Sequence, residues 1–224
     1  MIKLIDLLHT LALVPVTLLP IINPLSAAPV FTLTVGGDAL ATRQLARQVA
    51  INCFFVLVVS LFIGTYVLDL FGISLPIVRI GGGLLVAASG WRMLNHSDDD
   101  EVRAAVKRQQ ASALSHAEVV KRSFFPLTFP LTTGPGTIAA AIAIGAGLPR
   151  QPTLYVVGAL VAVIGATLTV AVIYLVYRHS ARLMARLGEV GALVMTRLMA
   201  FVLLCLGIEI LWTGWAELNG IVQR

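Results

Sequence analysis

The sequence predicts an all-α membrane protein of six transmembrane helices, arranged as two inverted three-helix repeats with the first and fourth helices broken by proline motifs. Three observations carry this expectation. First, 58% of the 224 residues are hydrophobic and 12% are charged, with a mean hydropathy of +0.92. A soluble domain is about one-quarter charged, so this chain cannot cover a globule of its size with polar surface. That argues against a soluble enzyme, a nucleic-acid-binding domain and a disordered chain. Second, a proline-rich motif occurs twice. Third, the positive charges fall mostly on alternate connections between apolar runs.

A spanning helix needs roughly 20 mostly apolar residues. The first candidate runs from Leu4 to Val35 and is interrupted by prolines. Pro20 and Pro24 break the apolar core that a signal peptide would need, so the segment reads as a retained span. The second runs from Leu45 to Leu70 and the third from Leu75 to Leu94. The fourth, Val119 to Leu148, is interrupted again. The fifth is Thr153 to Tyr177 and the sixth Gly191 to Leu218. Residues 1–95 then form the first repeat, 96–117 a polar cytoplasmic linker and 118–224 the second repeat. The linker holds Asp98, Asp99, Asp100 and Glu101, followed by Arg103, Lys107 and Arg108. It reads as a solvated connection between the halves.

Alternate connections lie on opposite sides of the membrane. One side collects Arg43, Arg47, Arg92, Arg103, Lys107, Arg108, Lys121, Arg122, Arg178, Arg182, Arg186 and Arg197. The other has Lys3, Arg79, Arg150 and Arg224. Positive charge marks cytoplasmic loops, which places both termini outside. The net charge of +5 therefore speaks of orientation rather than of an acidic partner.

The duplicated motif is P-x-x-x-P-L-[ST]-x-x-P. It occurs from Pro20 to Pro29 and again from Pro126 to Pro135, at an offset of 106 residues. Three spans separate the copies, so the second enters from the opposite face. Inverted repeats with interrupted helices are the mark of secondary transporters. Three prolines in ten residues would end an ordinary helix. In lipid, irregular backbone persists only where protein or water satisfies it.

The residues after each break carry helix-start chemistry. Asn23 or Ser26 could cap one half-helix, with Pro24 in its first turn; Thr132 or Thr133 could cap the other, followed by Gly134, Pro135 and Gly136. Helix N-termini offer free amides and positive partial charge to an anion. Glycine lets the backbone approach a small ligand. These eight residues form the expected substrate site, with the Asn23 side-chain oxygen as an acceptor for an ammonium group. A small zwitterion fits such a site, with H+ or Na+ as coupling ion and the bilayer as the other partner.

Four polar residues stand elsewhere in the spans. Glu209 could carry a coupling proton, pair with an arginine, or lie near the outer interface beside Trp212 and Trp215. Asn52 reads as an interhelical hydrogen-bonding group. Arg79 and Arg197 start helices, where a cation opposes the dipole; they read as anchors compensated by a carboxylate, a carbonyl or lipid phosphate, with substrate binding as the second reading. Cys53 and Cys205 stand singly, and the four histidines lack ligand spacing, so no metal site or cofactor is expected. No nucleotide-binding or catalytic motif is present, so no enzymatic activity is expected.

The chain resembles the MarC family of bacterial and archaeal membrane proteins. The resemblance rests on Asn23-Pro24-Leu25-Ser26 and on Thr133-Gly134-Pro135-Gly136-Thr137-Ile138-Ala139. It extends to Phe71-Gly72-Ile73-Ser74-Leu75-Pro76, Arg79-Ile80-Gly81-Gly82-Gly83 and Arg197-Leu198-Met199. It implies six inner-membrane spans with both ends outside, within the broad grouping of LysE-like exporters. It also implies transport of small neutral amino acids such as glycine and alanine. A non-transporting assembly or regulatory role, or export of another small solute including drugs, stays open as an alternative.

Overall fold

The computed structural model describes residues 4–36, 38–95, 123–148 and 152–221. The polar linker lies outside them, as do residues 119–122 at the start of the fourth expected span. The described residues are almost wholly helical. The first expected span is a broken pair, α1 (Leu4–Ile22) and α2 (Pro24–Val35), bent by 50°. Helix α3 spans Ala39–Leu70 and α4 Leu75–Asn95. The fourth expected span is a wide, irregular helical stretch, Ser123–Thr132, followed by α5 (Pro135–Ala146), with a 69° bend between them. Helix α6 spans Pro152–Arg178 and α7 Ser180–Leu218, the latter kinked at Gly188. Among the described residues, four helical stretches are long and apolar enough to cross a membrane alone: Ala39–Leu70, Leu75–Asn95, Leu154–Arg178 and Val190–Leu218. Each bent pair also qualifies when its two parts are taken together, giving four to six spans.

Local chemistry sets the ends. Helix α3 starts six residues before the apolar run at Leu45. Asp38 accepts a hydrogen bond from Leu40 N at 2.9 Å and caps a polar first turn. Helix α2 ends at Gly36, whose φ of 66° only glycine adopts freely. Helix α1 keeps its course through Pro15 and Pro20 and stops at Asn23.

Packing falls into two parts. Helices α4 and α7 form one tight pair, held close by small residues. A methyl added at Gly90 would lie 2.5 Å from Leu204 N, and one at Gly83 the same distance from Leu211 N. Such backbone proximity is how helices associate in lipid. The other part packs α3 against α5 and α6, and α1 against α6. Its core includes Leu18, Phe31, Leu57, Leu127, Ile173 and Tyr177, all fully buried. The outer surface is rich in large apolar side chains, such as Phe55, Ile63, Leu160 and Phe201, as a lipid-facing surface should be.

Candidate functional site

The first break is one residue wide. Asn23 has φ 45° and ψ 61°, the left-handed conformation that asparagine tolerates better than most residues. Its Oδ1 accepts from Ser26 N at 3.4 Å, and Ser26 Oγ donates to the Asn23 carbonyl at 3.1 Å. Pro24 opens α2, where its missing amide costs nothing. The Asn23 oxygen thus already accepts one hydrogen bond, from the cap, and keeps a second lone pair. The amide also carries a donor. Asn23 is 5% exposed, and its Nδ2 has no hydrogen-bond partner among the described residues. Native structures rarely leave a buried polar group unpaired. Nδ2 is thus a buried donor beside the start of α2.

The second break is wider. Phe125 and Phe129 are extended, and the Phe129–Pro130 bond is cis. Here the threonines do not cap the half-helix as expected. Thr132 Oγ1 donates to the Leu127 carbonyl at 2.6 Å, and Thr133 Oγ1 to the Thr128 carbonyl at 2.9 Å. The physical reason lies in the chain itself. Pro126 and Pro130 withdraw amide donors from the stretch, and hydroxyls take over part of its backbone pairing. The N-cap of α5 is instead Gly134, with extended backbone and no side-chain cap. Pro135 follows with no amide, so the first-turn amides of Gly136 and Thr137 have no intrahelical partner. The two glycines differ. A methyl at Gly136 would collide with Val86 of α4, so this glycine serves helix packing. A methyl at Gly134 would meet the Pro130 carbonyl at 3.1 Å and little else.

Tyr177 joins the two broken segments, a role that sequence alone did not reveal. Its ring stacks on Phe31 of α2 at 4.7 Å between centroids. Its hydroxyl shares a 2.7 Å hydrogen bond with Thr132 Oγ1. A second link runs from Thr32 Oγ1 of α2 to Ser180 Oγ of α7 at 2.9 Å. A lone tyrosine at the end of an apolar run gives no such signal in sequence. Beside the first break lies a narrow cleft, walled by Leu25, Ser26 and Pro29 of α2 and by Met184, Met195 and Met199 of α7.

The other singled-out residues lie apart from the breaks. Asn52 Nδ2 donates to Ser123 Oγ at 3.3 Å, an interhelical bond as expected. Arg79 pairs with Glu217, joining the start of α4 to the end of α7. Arg197 reaches the Met93 carbonyl at 3.5 Å, joining α7 to the end of α4. Both arginines thus have the kind of compensation expected of anchors. Glu209 is exposed on the apolar surface of α7. It makes no hydrogen bond or ion pair among the described residues, and Trp212 lies three residues beyond it, where it stacks on Trp215.

Long apolar helices, two of them broken around buried polar groups, define a multi-span integral membrane protein. Relatives narrow this class. A model of the MarC family, described as integral membrane proteins, matches residues 8–219. Proteins named UPF0056 inner membrane protein MarC from Escherichia coli K12 and Shigella flexneri are similar throughout. Each is 31% identical over 218 residues, covering 96% of this chain and 98% of the relative. The chain belongs to the MarC family. No solved structure matches it.

Proposed function

We propose that this chain is a secondary transporter of small neutral amino acids, of the glycine and alanine kind. The observation that carries the reading is the buried, unpaired Nδ2 of Asn23 at the start of a half-helix. A substrate carboxylate would accept from Nδ2 and from first-turn amides of α2, and α5 would present its uncapped N-terminus. The energetic logic favours an anion. An unmet buried donor costs about 1–3 kcal/mol, and a ligand that meets it recovers that cost on binding. The substrate ammonium would face carbonyls freed by the breaks. The residues proposed to line the site are Asn23, Pro24, Ser26, Thr132, Thr133, Gly134, Pro135 and Gly136. Thr132 and Thr133 shape it from behind, since their hydroxyls are already engaged.

Six spans in two inverted repeats form the frame of this proposal. The packing pattern supports it. Helix α2 packs on α7 as α5 packs on α4, and α1 packs on α6 as Ser123–Thr132 packs on α3. Helices α3 and α6 contact each other, as do α4 and α7. A two-fold relation between the halves predicts each of these pairs. The charge distribution favours both termini outside.

Flux of labelled glycine, alanine and serine into proteoliposomes, with and without proton or sodium gradients, tests the function. Gradient-dependent uptake is expected. Folded protein that moves none of these or other small solutes would sink the reading. For topology, a reporter fused after Arg224 should read as external, and a cytoplasmic signal would overturn the orientation.

A further inference from the structure

Two backbone interruptions isolate a short helix before the last long span. His179 leaves helical geometry at φ −106° and ψ 12°. Gly188 has φ 63° and ψ 177°. Between them, residues 180–187 make two helical turns, about 12 Å long. That is far too short to cross a bilayer. A helix of this length joining two spans belongs at the membrane surface.

Its two faces differ. Ser180, Leu183, Met184 and Leu187 are buried or half-buried, and Ala181, Arg182, Ala185 and Arg186 are exposed. The inner face is occupied, because Met184 and Leu187 wall the cleft along α2. The outer face carries Arg182 and Arg186 one turn apart. Arg178 continues the stripe one turn earlier and donates to Tyr174 Oη at 3.3 Å. Arg182 and Arg186 have no hydrogen bond or ion pair among the described residues. Exposed Arg43, Arg47 and Arg92 lie toward the same end of the bundle. The carboxylate of Asp38 at that end is engaged in capping α3.

We propose that Arg182 and Arg186 seat the headgroup of an acidic phospholipid. Guanidinium forks match phosphate oxygens in pairs. Two forks one turn apart, about 6 Å, can grip a single headgroup. Zwitterionic headgroups offer the same phosphate with a compensating cation, so the preference is for net negative lipid. Because the inner face of the same helix walls the cleft, a bound lipid would also hold that wall in place. The proposal stands apart from the transport reading.

The test uses the purified full chain in detergent, with added phosphatidylglycerol or phosphatidylcholine. Thermal unfolding and lipid retention by native mass spectrometry are the readouts. Phosphatidylglycerol should be retained and should raise the unfolding midpoint more than phosphatidylcholine does. The paired change Arg182→Gln with Arg186→Gln should weaken phosphatidylglycerol retention by about tenfold or more. Its midpoint in phosphatidylcholine should stay unchanged. Arg43→Gln with Arg47→Gln should keep the acidic-lipid effect. If the glutamine pair fails to fold, Arg182→Lys with Arg186→Lys retains the charge without the fork and should show partial loss. Equal response to both lipids, full retention in the glutamine or lysine pair, or an equal loss in the Arg43 and Arg47 pair would overturn the proposal.

Discussion

The two proline motifs begin with nearly the same letters and end in different structures. At the first, one residue takes the whole turn. Asn23 goes left-handed, caps α2 with its oxygen and is left with an unpaired donor. At the second, ten residues share the distortion, and the hydroxyls of Thr128, Thr132 and Thr133 fold back onto their own backbone. Gly134 then opens α5 with no side chain at all. One half-helix thus offers a side-chain amide together with backbone amides. The other offers backbone alone. A duplicated motif therefore supplies two unequal helix starts, and only the first brings a buried side-chain donor, at Asn23.

Substitutions can break this comparison at several points. The largest effect is expected at Gly136, where packing and not ligand approach sets the residue. Gly136→Leu should drive into Val86 and cost about 1–3 kcal/mol or more, seen as loss of folded protein in detergent chromatography. Next comes Tyr177→Phe. It keeps the stack on Phe31 and removes the bond to Thr132, at about 1 kcal/mol, read as a lowered unfolding midpoint. If the midpoint is unchanged, Tyr177 does not tie the broken segments together. Gly134→Ala is the sharper probe of the second half-site. Its extended φ/ψ is open to other residues, and the added methyl presses only on the Pro130 carbonyl at 3.1 Å, so the chain should stay folded with a small loss of stability while flux falls severalfold. Full flux would remove the α5 N-terminus from the site. The smallest effect is expected for Arg79→Gln. The pair with Glu217 is partly exposed, and such pairs contribute about 0–1 kcal/mol. Flux should be unaffected.

The long apolar helices were legible because long apolar runs leave a helix little choice in lipid. Their ends were less so. Helix α3 reaches back to Ala39, since a polar, capped turn continues a helix beyond the apolar run at Leu45. The kink at Gly188 gave no hydropathy signal, and the arginines before it read only as a connection between spans. At the site, the proline spacing correctly marked both breaks. It did not reveal that Pro20 and Pro29 sit within helices and that only Asn23 leaves helical geometry. Nor could it assign caps, because Thr132, Thr133 and Gly134 are adjacent and only backbone direction decides among them. The exposed position of Glu209 was open in sequence, where span depth can be read but rotation about the helix cannot.

The central claim is that Asn23 Nδ2 donates to the substrate, and a pair of variants isolates it. Asn23→Asp keeps the capping oxygen and replaces the donor with an acceptor. Asn23→Gly tolerates the left-handed turn and removes the side chain, at a stability cost of only a few tenths of a kcal/mol. Flux of labelled glycine should fall at least about tenfold in both variants, the loss of one buried hydrogen bond to a charged group, with the Gly variant still well folded. Wild-type flux in a folded Asp variant would contradict the account.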